Sequence, residues 1–409
     1  MLKLIDVEHV RLGMHIHKLC GTWINHPFWR SAFLLDDPKD MRALLSSGLR
    51  EVWIDTSKGL DVQLAGNETP PVEDEIIAPI PTQAKTARAV VQRVDAAQEA
   101  ARAVNICANA KQAVTSMFEE ARMGKALSGS DALEVVEEIS NSVMRNPSAL
   151  IGLARLKNKD DYTYMHSVAV CALMVSLARQ LGLDAGQVRQ AGLAGLVHDI
   201  GKMMIPAEIL NKPGKLTDAE FTRVKNHPAE GHKMLLEGSD ICAVALDVCL
   251  HHHEKIDGSG YPERLKDEQI SLYAKMGAVC DVYDAISSNR PYRNGWEPPE
   301  SLRRMAEWRI AGHFDKVAFE AFVKSIGIYP VGSLVKLESN RLGVVIGQSE
   351  KSLLTPQVKI FFSVKSNGRI PAEIVDLSKP HCRDKIVSHE SVEEWGITDM
   401  QALWSGIAA

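Results

Sequence analysis

The sequence reads as a multidomain chain: an all-α helical domain in the middle, a small α+β module before it and a small antiparallel β-structure after it. Three observations carry this reading. Apolar residues recur at helical spacing from residue 146 to 329, and no strand alternation interrupts them. A proline-rich stretch with no usable period, residues 66–85, separates the first 65 residues from the rest of the chain. After Pro330, β-like runs return with Gly and Asn at the turns.

Within residues 1–65, short alternating bursts stand at Val10, Leu12 and Met14 and again at Val52 and Ile54. Between them, DPKDMRALLSSG predicts a short helix that Asp37 caps and Gly48 ends. Residues 86–145 are rich in Ala, Glu, Gln and Val, with breaks at Gly124 and Gly129. They read as connecting helices, docked on the next domain or on another subunit, with signal transmission as the alternative role. In the domain 146–329, HSVAVCALMVSLARQLG and QVRQAGLAGLVHDIGK are successive helices, and ICAVALDVCLHHHE and SLYAKMGAVCDVYDAISS are two more. A turn at Pro213-Gly214 precedes a capping box with Thr217 as cap and Glu220 three residues on. In the last part, 330–409, GSLVKLESNRLGVVIGQ and TPQVKIFFSV are β-like, whereas the tail WGITDMQALWSGIAA predicts no definite element.

Composition excludes several classes. The formal charge of −5 gives no broad footprint for a DNA or RNA polymer, so phosphate recognition must be local. The best apolar run, around Ile241–Leu250, falls well short of the roughly 18 residues that a membrane span needs. The N-terminus has no apolar core followed by a cleavage site, so it does not read as a signal peptide. Seven cysteines occur without a CxxC pair, and Cys171, Cys242, Cys249 and Cys280 sit in apolar stretches, as reduced thiols of a cytoplasmic protein do.

Half of the 14 histidines fall between 166 and 253. Inside the helical domain stand His166, the pair His198 and Asp199, His227 and the run His251, His252 and His253; Asp281 and Asp284 come later, on another helix. His232 and His313 read as ordinary hydrogen-bonded histidines. His198 and Asp199 close an otherwise apolar helix, where burying them is costly unless something pairs with them. Imidazoles and carboxylates on several inward-facing helices make a mixed N/O site for transition metals. Six or seven ligands exceed the need of one tetrahedral ion, whereas two ions sharing a carboxylate such as Asp199 would use them all. A two-metal centre suits hydrolysis of phosphate esters, and nearby cations fit. Lys202 projects from the side of His198, and Arg290 and Arg293 offer guanidinium forks for phosphate oxygens.

HDIGK at 198–202, NHP at 226–228, HHEKIDGSGYP at 252–262 and CDVYDAISSNRPYR at 280–293 resemble the HD-GYP domain, a subgroup of the HD-superfamily metal phosphohydrolases associated with hydrolysis of cyclic di-GMP. The likeness runs from about Asp161 to Val323, and the first 65 residues resemble, less strongly, a small domain of unknown function found before some HD-GYP domains. The resemblance implies an HD-type helical catalytic domain with His166, His198, Asp199, His227, His252, His253 and Asp281 as metal ligands, and His251 as a neighbour. It implies that Lys202 contacts the scissile phosphate, and that Arg290 and Arg293 hold the distal phosphate or a guanine. Tyr261 belongs to the GYP loop, where Gly258 and Gly260 let the backbone curl beside the site. Asp284 is taken with the substrate contacts. Some relatives place a glutamate four residues before the first histidine to hold a third metal. Here that position is Tyr162, after Asp160 and Asp161, so two divalent ions are expected over three, with iron or manganese before nickel or zinc.

The expected reaction is attack by a metal-bridging hydroxide on one phosphodiester of cyclic di-GMP, giving pGpG and, after a second cut, GMP. Two alternatives stand beside it: an HD phosphohydrolase acting on another nucleotide, and a sensor or scaffold that binds cyclic di-GMP without cutting it. The flanking modules are read as surfaces for a homodimer or for protein partners.

Overall fold

The structure is a computed structural model and describes residues 2–19, 32–45, 51–61, 94–154, 162–212, 214–288, 295–349 and 352–407. The chain divides into two units, residues 1–92 and 93–409.

In the first unit, β1 (Leu2–Asp6), β2 (His15–Leu19), β3 (Phe33–Leu34) and β4 (Glu51–Asp55) form an antiparallel sheet in the order β1-β4-β2-β3. Alternation along β4 turns Val52 and Ile54 inward and leaves Trp53 outward, the period-2 pattern of a sheet with one covered face. Leu44 of α1 (Pro38–Leu45) joins the core that Ile16, Phe33 and Ile54 build. Asp37 caps this helix by accepting the Lys39 N–H at 2.7 Å; Gly48 lies outside the described residues. The alternation at Val10, Leu12 and Met14 falls not in a strand but in the link between β1 and β2. Val10 and Met14 are buried there in the same core as Ile16 and Ile54, whereas Leu12 is exposed, which produces a strand-like pattern outside a strand.

The second unit is helical first. The helix α2 (Ala96–Arg122) starts at Ala96 because Asp95 caps it, its carboxylate accepting the Gln98 N–H at 2.8 Å; the proline-rich stretch 66–85 lies outside the described residues. Ala100, Ala103, Cys107, Ala110, Val114 and Phe118, spaced by three or four, form the buried stripe of α2. That stripe packs on α3 (Gly129–Arg145), α4 (Pro147–Ala154) and α5 (Tyr162–Gln180). Glu99, fully buried, fastens α2 to α3: its carboxylate accepts from Arg145 at 2.7 and 2.8 Å and from the Ser142 hydroxyl at 2.8 Å.

The central helix is α5, buried nearly throughout, which explains a run apolar on all sides. It pairs with α6 (Ala185–Val197), which Asp184 and Gln187 start through a capping box. Then come α7 (Ala207–Leu210), α8 (Asp218–Val224), α9 (His227–Leu236), α10 (Ala243–His251), α11 (Leu272–Ser287), α12 (Pro298–Ile310) and α13 (Lys316–Ile326). The box of Thr217 and Glu220 opens α8 as the sequence predicts; of the turn before it, Pro213 lies outside the described residues.

Strands β5 (Leu334–Leu337), β6 (Arg341–Gly347), β7 (Gln357–Ser363), β8 (Gly368–Asp376) and β9 (Ile386–His389) close the chain as an antiparallel sheet ordered β8-β7-β6-β5-β9. The tail is more definite than its sequence predicts. A short helix α14 (Met400–Ser405) packs on α2 and β6, and Trp404 is buried with its ring over Gly152 of α4. Six residues carry too little helical signal to register alone; the buried indole holds them.

Candidate metal centre and its pocket

The end of α6, the start of α9, the end of α10, the second turn of α5 and the middle of α11 meet at one point. His198 is the C-cap of α6, and Asp199 begins a 3-10 turn over Ile200–Met204. That turn must lie almost on the first turn of α9. A Cβ on Gly201 would stand 2.0 Å from the His227 carbonyl oxygen, so no larger residue fits between His198 and His227 here. His166 comes from α5, Asp281 from α11, and His252 and His253 from the end of α10.

Two groups of ligand atoms result: His166, His198, Asp199 and Asp281 in one, and Asp199, His227, His252 and His253 in the other, each within 4.8 Å. Asp199 belongs to both. Its Oδ2 is 3.3 Å from the Nε2 atoms of His166 and His198, and its Oδ1 is 3.2 Å from His227 Nε2 and 3.7 Å from His252 Nε2. Asp281 stands 3.0 Å from His166 Nε2 with one oxygen and 3.7 Å from His253 Nδ1 with the other.

The imidazoles are aimed from behind. His198 Nδ1 donates to the Gly195 carbonyl at 2.9 Å, His227 Nδ1 to that of Val224 at 2.7 Å, and His252 Nδ1 to that of Val248 at 3.0 Å. A carbonyl only accepts, so in the neutral ring Nε2 is left as a lone pair facing Asp199. His166 is aimed by a side chain, its Nδ1 lying 2.5 Å from Asp284 Oδ2. Asp284, expected from the sequence among the substrate contacts, here faces His166. It is 1% exposed, sits behind His166 and also accepts from the Ser288 hydroxyl at 3.1 Å. His251 turns away to Asp247, 2.8 Å off.

The donor set fits a divalent metal site. Asp199 Oδ1 and His198 Nε2 are buried without a hydrogen-bond partner, and lone pairs that face a carboxylate in a dry interior repel unless a cation lies between them. Burial alone would raise the Asp199 carboxyl, but the Lys202 ammonium and His198 hold it well below the usual carboxylate range. Asp281 is likewise held far down against burial, by His166 and His198. Burial, with His253 and His198 adding to it, keeps His252 neutral, and burial with His227 pushes His253 down to about 3 against the pull of Asp281. Burial opposes a proton on His198 too, yet Asp199 and Asp281 draw its pKa up to about 10, a demand for positive charge that a dication meets while leaving the ring neutral.

Against known proteins, residues 138–317 match the family model described as HD domain, and residues 2–132 match a domain of unknown function, DUF3391. The whole chain is 54% identical to a cyclic di-GMP phosphodiesterase of Pseudomonas aeruginosa and covers 97% of it. The chain belongs to the HD-GYP family. Partial relatives include a 3'3'-cGAMP-specific phosphodiesterase of Vibrio cholerae, 36% identical over 41% of this chain and 38% of that one. A cyclic di-GMP phosphodiesterase response regulator of Xanthomonas campestris is 45% identical over 31% of this chain and 34% of its own.

In this HD-GYP chain the loop that carries the second half of the name is braced from inside. Glu254, buried, accepts the backbone N–H groups of Glu263, Arg264 and Leu265 at 2.7, 2.9 and 3.1 Å. Gly258 takes a positive φ of 80°, whereas Gly260 is needed for closeness: a Cβ there would be 2.4 Å from the Lys255 nitrogen. The loop lays the Tyr261 ring on His253, with centroids 4.7 Å apart and planes 29° apart. Lys202 bonds Asp199 Oδ2. Arg290, Arg293, Asp160 and Asp161 lie outside the described residues, as does the Tyr162 side chain.

Beside His252 and His253 opens a pocket of about 280 Å³, with Lys255, Tyr261, Trp308, His313 and Phe314 in its walls. Lys255 Nζ lies 3.5 Å from His313 Nε2. Sequence reasoning missed this wall and the brace. Glu254 looks like any loop acid, and His313 stands far along the sequence from His252 and His253, with which it shares the pocket; only the GYP-loop backbone, short of partners for its donors, hints at an acceptor beneath it.

Proposed function

We propose that this chain is a metal-dependent phosphodiesterase that hydrolyses cyclic di-GMP to linear pGpG, and on to GMP after a second cut. One observation carries the reading: two four-residue groups share a single ionised carboxylate, Asp199, and one of them borders a pocket through His252 and His253. The whole-length relative from Pseudomonas aeruginosa supports the substrate.

Two divalent ions, iron or manganese by preference, would be held by His166, His198, Asp199 and Asp281 on one side and by Asp199, His227, His252 and His253 on the other. When bound, such ions lower the pKa of a water to roughly 7 or below and offset charge on phosphorus. Asp199 and Asp281 stay ionised, and His252 and His253 stay neutral, so each keeps a lone pair for its ligand bond. Lys202 stands beside the shared carboxylate, where negative charge grows on the phosphate oxygens during the reaction. Tyr261 fixes the His253 plane and walls off one side from water. Arg290 and Arg293 are assigned to the distal phosphate or a guanine. Water adds across one P–O bond: its oxygen joins phosphorus, and the 3′-oxygen leaves with a proton. Reduced, buried thiols suit action in the cytoplasm, with the flanking modules available to a second copy or a protein partner. Among the described residues, no helix is long and apolar enough to cross a membrane.

The test is metal content and product analysis on anaerobically purified protein given cyclic di-GMP. About two ions per chain, with pGpG or GMP formed and both ions and turnover lost in Asp199→Ala, is the expected result. Metal without turnover, even after manganese or ferrous iron is added, would replace the hydrolase with a cyclic di-GMP sensor.

A further inference from the structure

We infer that the pocket beside the metal centre is a base subsite that selects guanine, with Lys255 as the residue that reads it. The inference rests on the cyclic dinucleotide reading above and deepens it. The pocket shares His252 and His253 with the ligand set, so a phosphodiester at the ions leaves its attached nucleoside facing this opening. Its walls are unsuited to a second phosphate. Ala278, Val282, Trp308, Phe314 and Tyr261 make them chiefly apolar and aromatic. Such walls suit the faces of a flat heterocycle, which stacks on indole and phenol rings whatever its edge carries.

The edge is read by what remains polar. Lys255 brings three ammonium donors and no acceptor into the pocket, and His313 Nε2 lies 3.5 Å from it. Guanine offers two acceptors, O6 and N7, along one edge, and a lysine is among the commonest partners for that pair. Adenine puts an amino donor where guanine has O6, so its edge opposes the ammonium. Lys255 is also held in place. The chain at Asp257 is pinned by its N–H to the Gly312 carbonyl at 2.9 Å, which ties the segment carrying Lys255 to the one carrying His313. Gly260 packs against the Lys255 backbone nitrogen from the other side. Base choice is a live variable in this family, since partial relatives are described as specific for 3'3'-cGAMP.

The test compares wild type, Lys255→Met and Trp308→Ala on cyclic di-GMP, cyclic di-AMP and bis(p-nitrophenyl) phosphate, a diester without a base. For Lys255→Met, KM for cyclic di-GMP should rise about tenfold or more, with cyclic di-AMP little changed, so that the guanine preference shrinks. Trp308→Ala should weaken both dinucleotides alike, because stacking does not distinguish bases. Bound metal per chain should stay at the wild-type level in both variants, which shows that they are folded and metal-loaded. Wild-type activity on cyclic di-GMP with an unchanged guanine preference in Lys255→Met would overturn the base subsite alone. A wild type that cleaves the base-free diester but neither dinucleotide would overturn the functional reading and the subsite with it.

Discussion

Asp284 Oδ2 lies 2.5 Å from His166 Nδ1, on the opposite side of the ring from the 3.0 Å approach of Asp281 to Nε2. The two carboxylates are three residues apart on α11 and grip one imidazole from its two nitrogens. A partner of this kind fixes the ring plane and makes the coordinating nitrogen more basic, and removing such a partner typically costs about 10- to 100-fold in metal affinity. Asp284→Asn should therefore weaken metal binding by about that factor while the chain stays folded. Chelator competition monitored by metal analysis checks it; wild-type retention would mean that packing alone orients His166.

Glu254 gives a second expectation. It is buried and accepts three backbone N–H groups of the loop after Tyr261. Hydrogen bonds to a charged group contribute about 1.5–3 kcal/mol each before non-additivity. Glu254→Gln keeps the shape, offers one acceptor oxygen where two are used, and should cost about 2–3 kcal/mol. Denaturant midpoints read the loss, and kcat/KM should fall with it as Tyr261 loosens from His253. An unchanged midpoint would show that the loop holds itself.

Away from the site, the junction of α2 and α3 rests on the pair of Glu99 and Arg145. Arg145→Ala leaves Glu99, at 0% exposure, without its bidentate partner and should destabilise the chain by about 3–5 kcal/mol. Replacing both residues with apolar ones of similar volume should recover most of that loss, since two desolvation penalties disappear together. Thermal or urea unfolding of the single and double variants decides it.

A pH effect is expected at the cap of α8. Lys212, together with the Thr217 N–H and hydroxyl, holds the Glu220 carboxyl down to about 2. The folded value lies below the unfolded one near 4.3, so the cap's contribution is present above about pH 4.3 and is lost as pH falls toward 2. Carboxyl chemical shifts followed by NMR should show that low midpoint, and Lys212→Ala should move it upward. A Glu220 midpoint near the unfolded value in the parent chain would contradict the cap geometry.

Much of the fold and the site is legible in sequence because the signals are local. The all-round apolar run of α5, the box of Thr217 and Glu220, and the polar end of the α6 helix each depend on residues within a few positions of one another. The seven residues that converge at the candidate metal centre are recognisable as costly residues at helix ends and inward faces. What the sequence withholds is which side of a group its neighbour occupies. Asp281 and Asp284 share a helix face by spacing, yet one meets the ligand nitrogen and the other the back of the same ring. Glu254 and His313 act through contacts with segments distant in sequence, and Trp404 orders a tail that has too few residues for a helical period. Val10, Leu12 and Met14 show the reverse case, a strand-like pattern in a link whose Val10 and Met14 are buried in the core and whose Leu12 is exposed.

The manner in which the imidazoles are aimed bears on how the centre tolerates genetic drift. His198, His227 and His252 are oriented by main-chain carbonyls of Gly195, Val224 and Val248. No codon change deletes a peptide oxygen, so the aim of these three survives substitution at almost any neighbouring position that leaves the helix intact. His166 depends on a side chain, and a single base change can remove it. Loss-of-function lineages should accordingly lose the ligands themselves or Asp284, and seldom the residues that orient the other three.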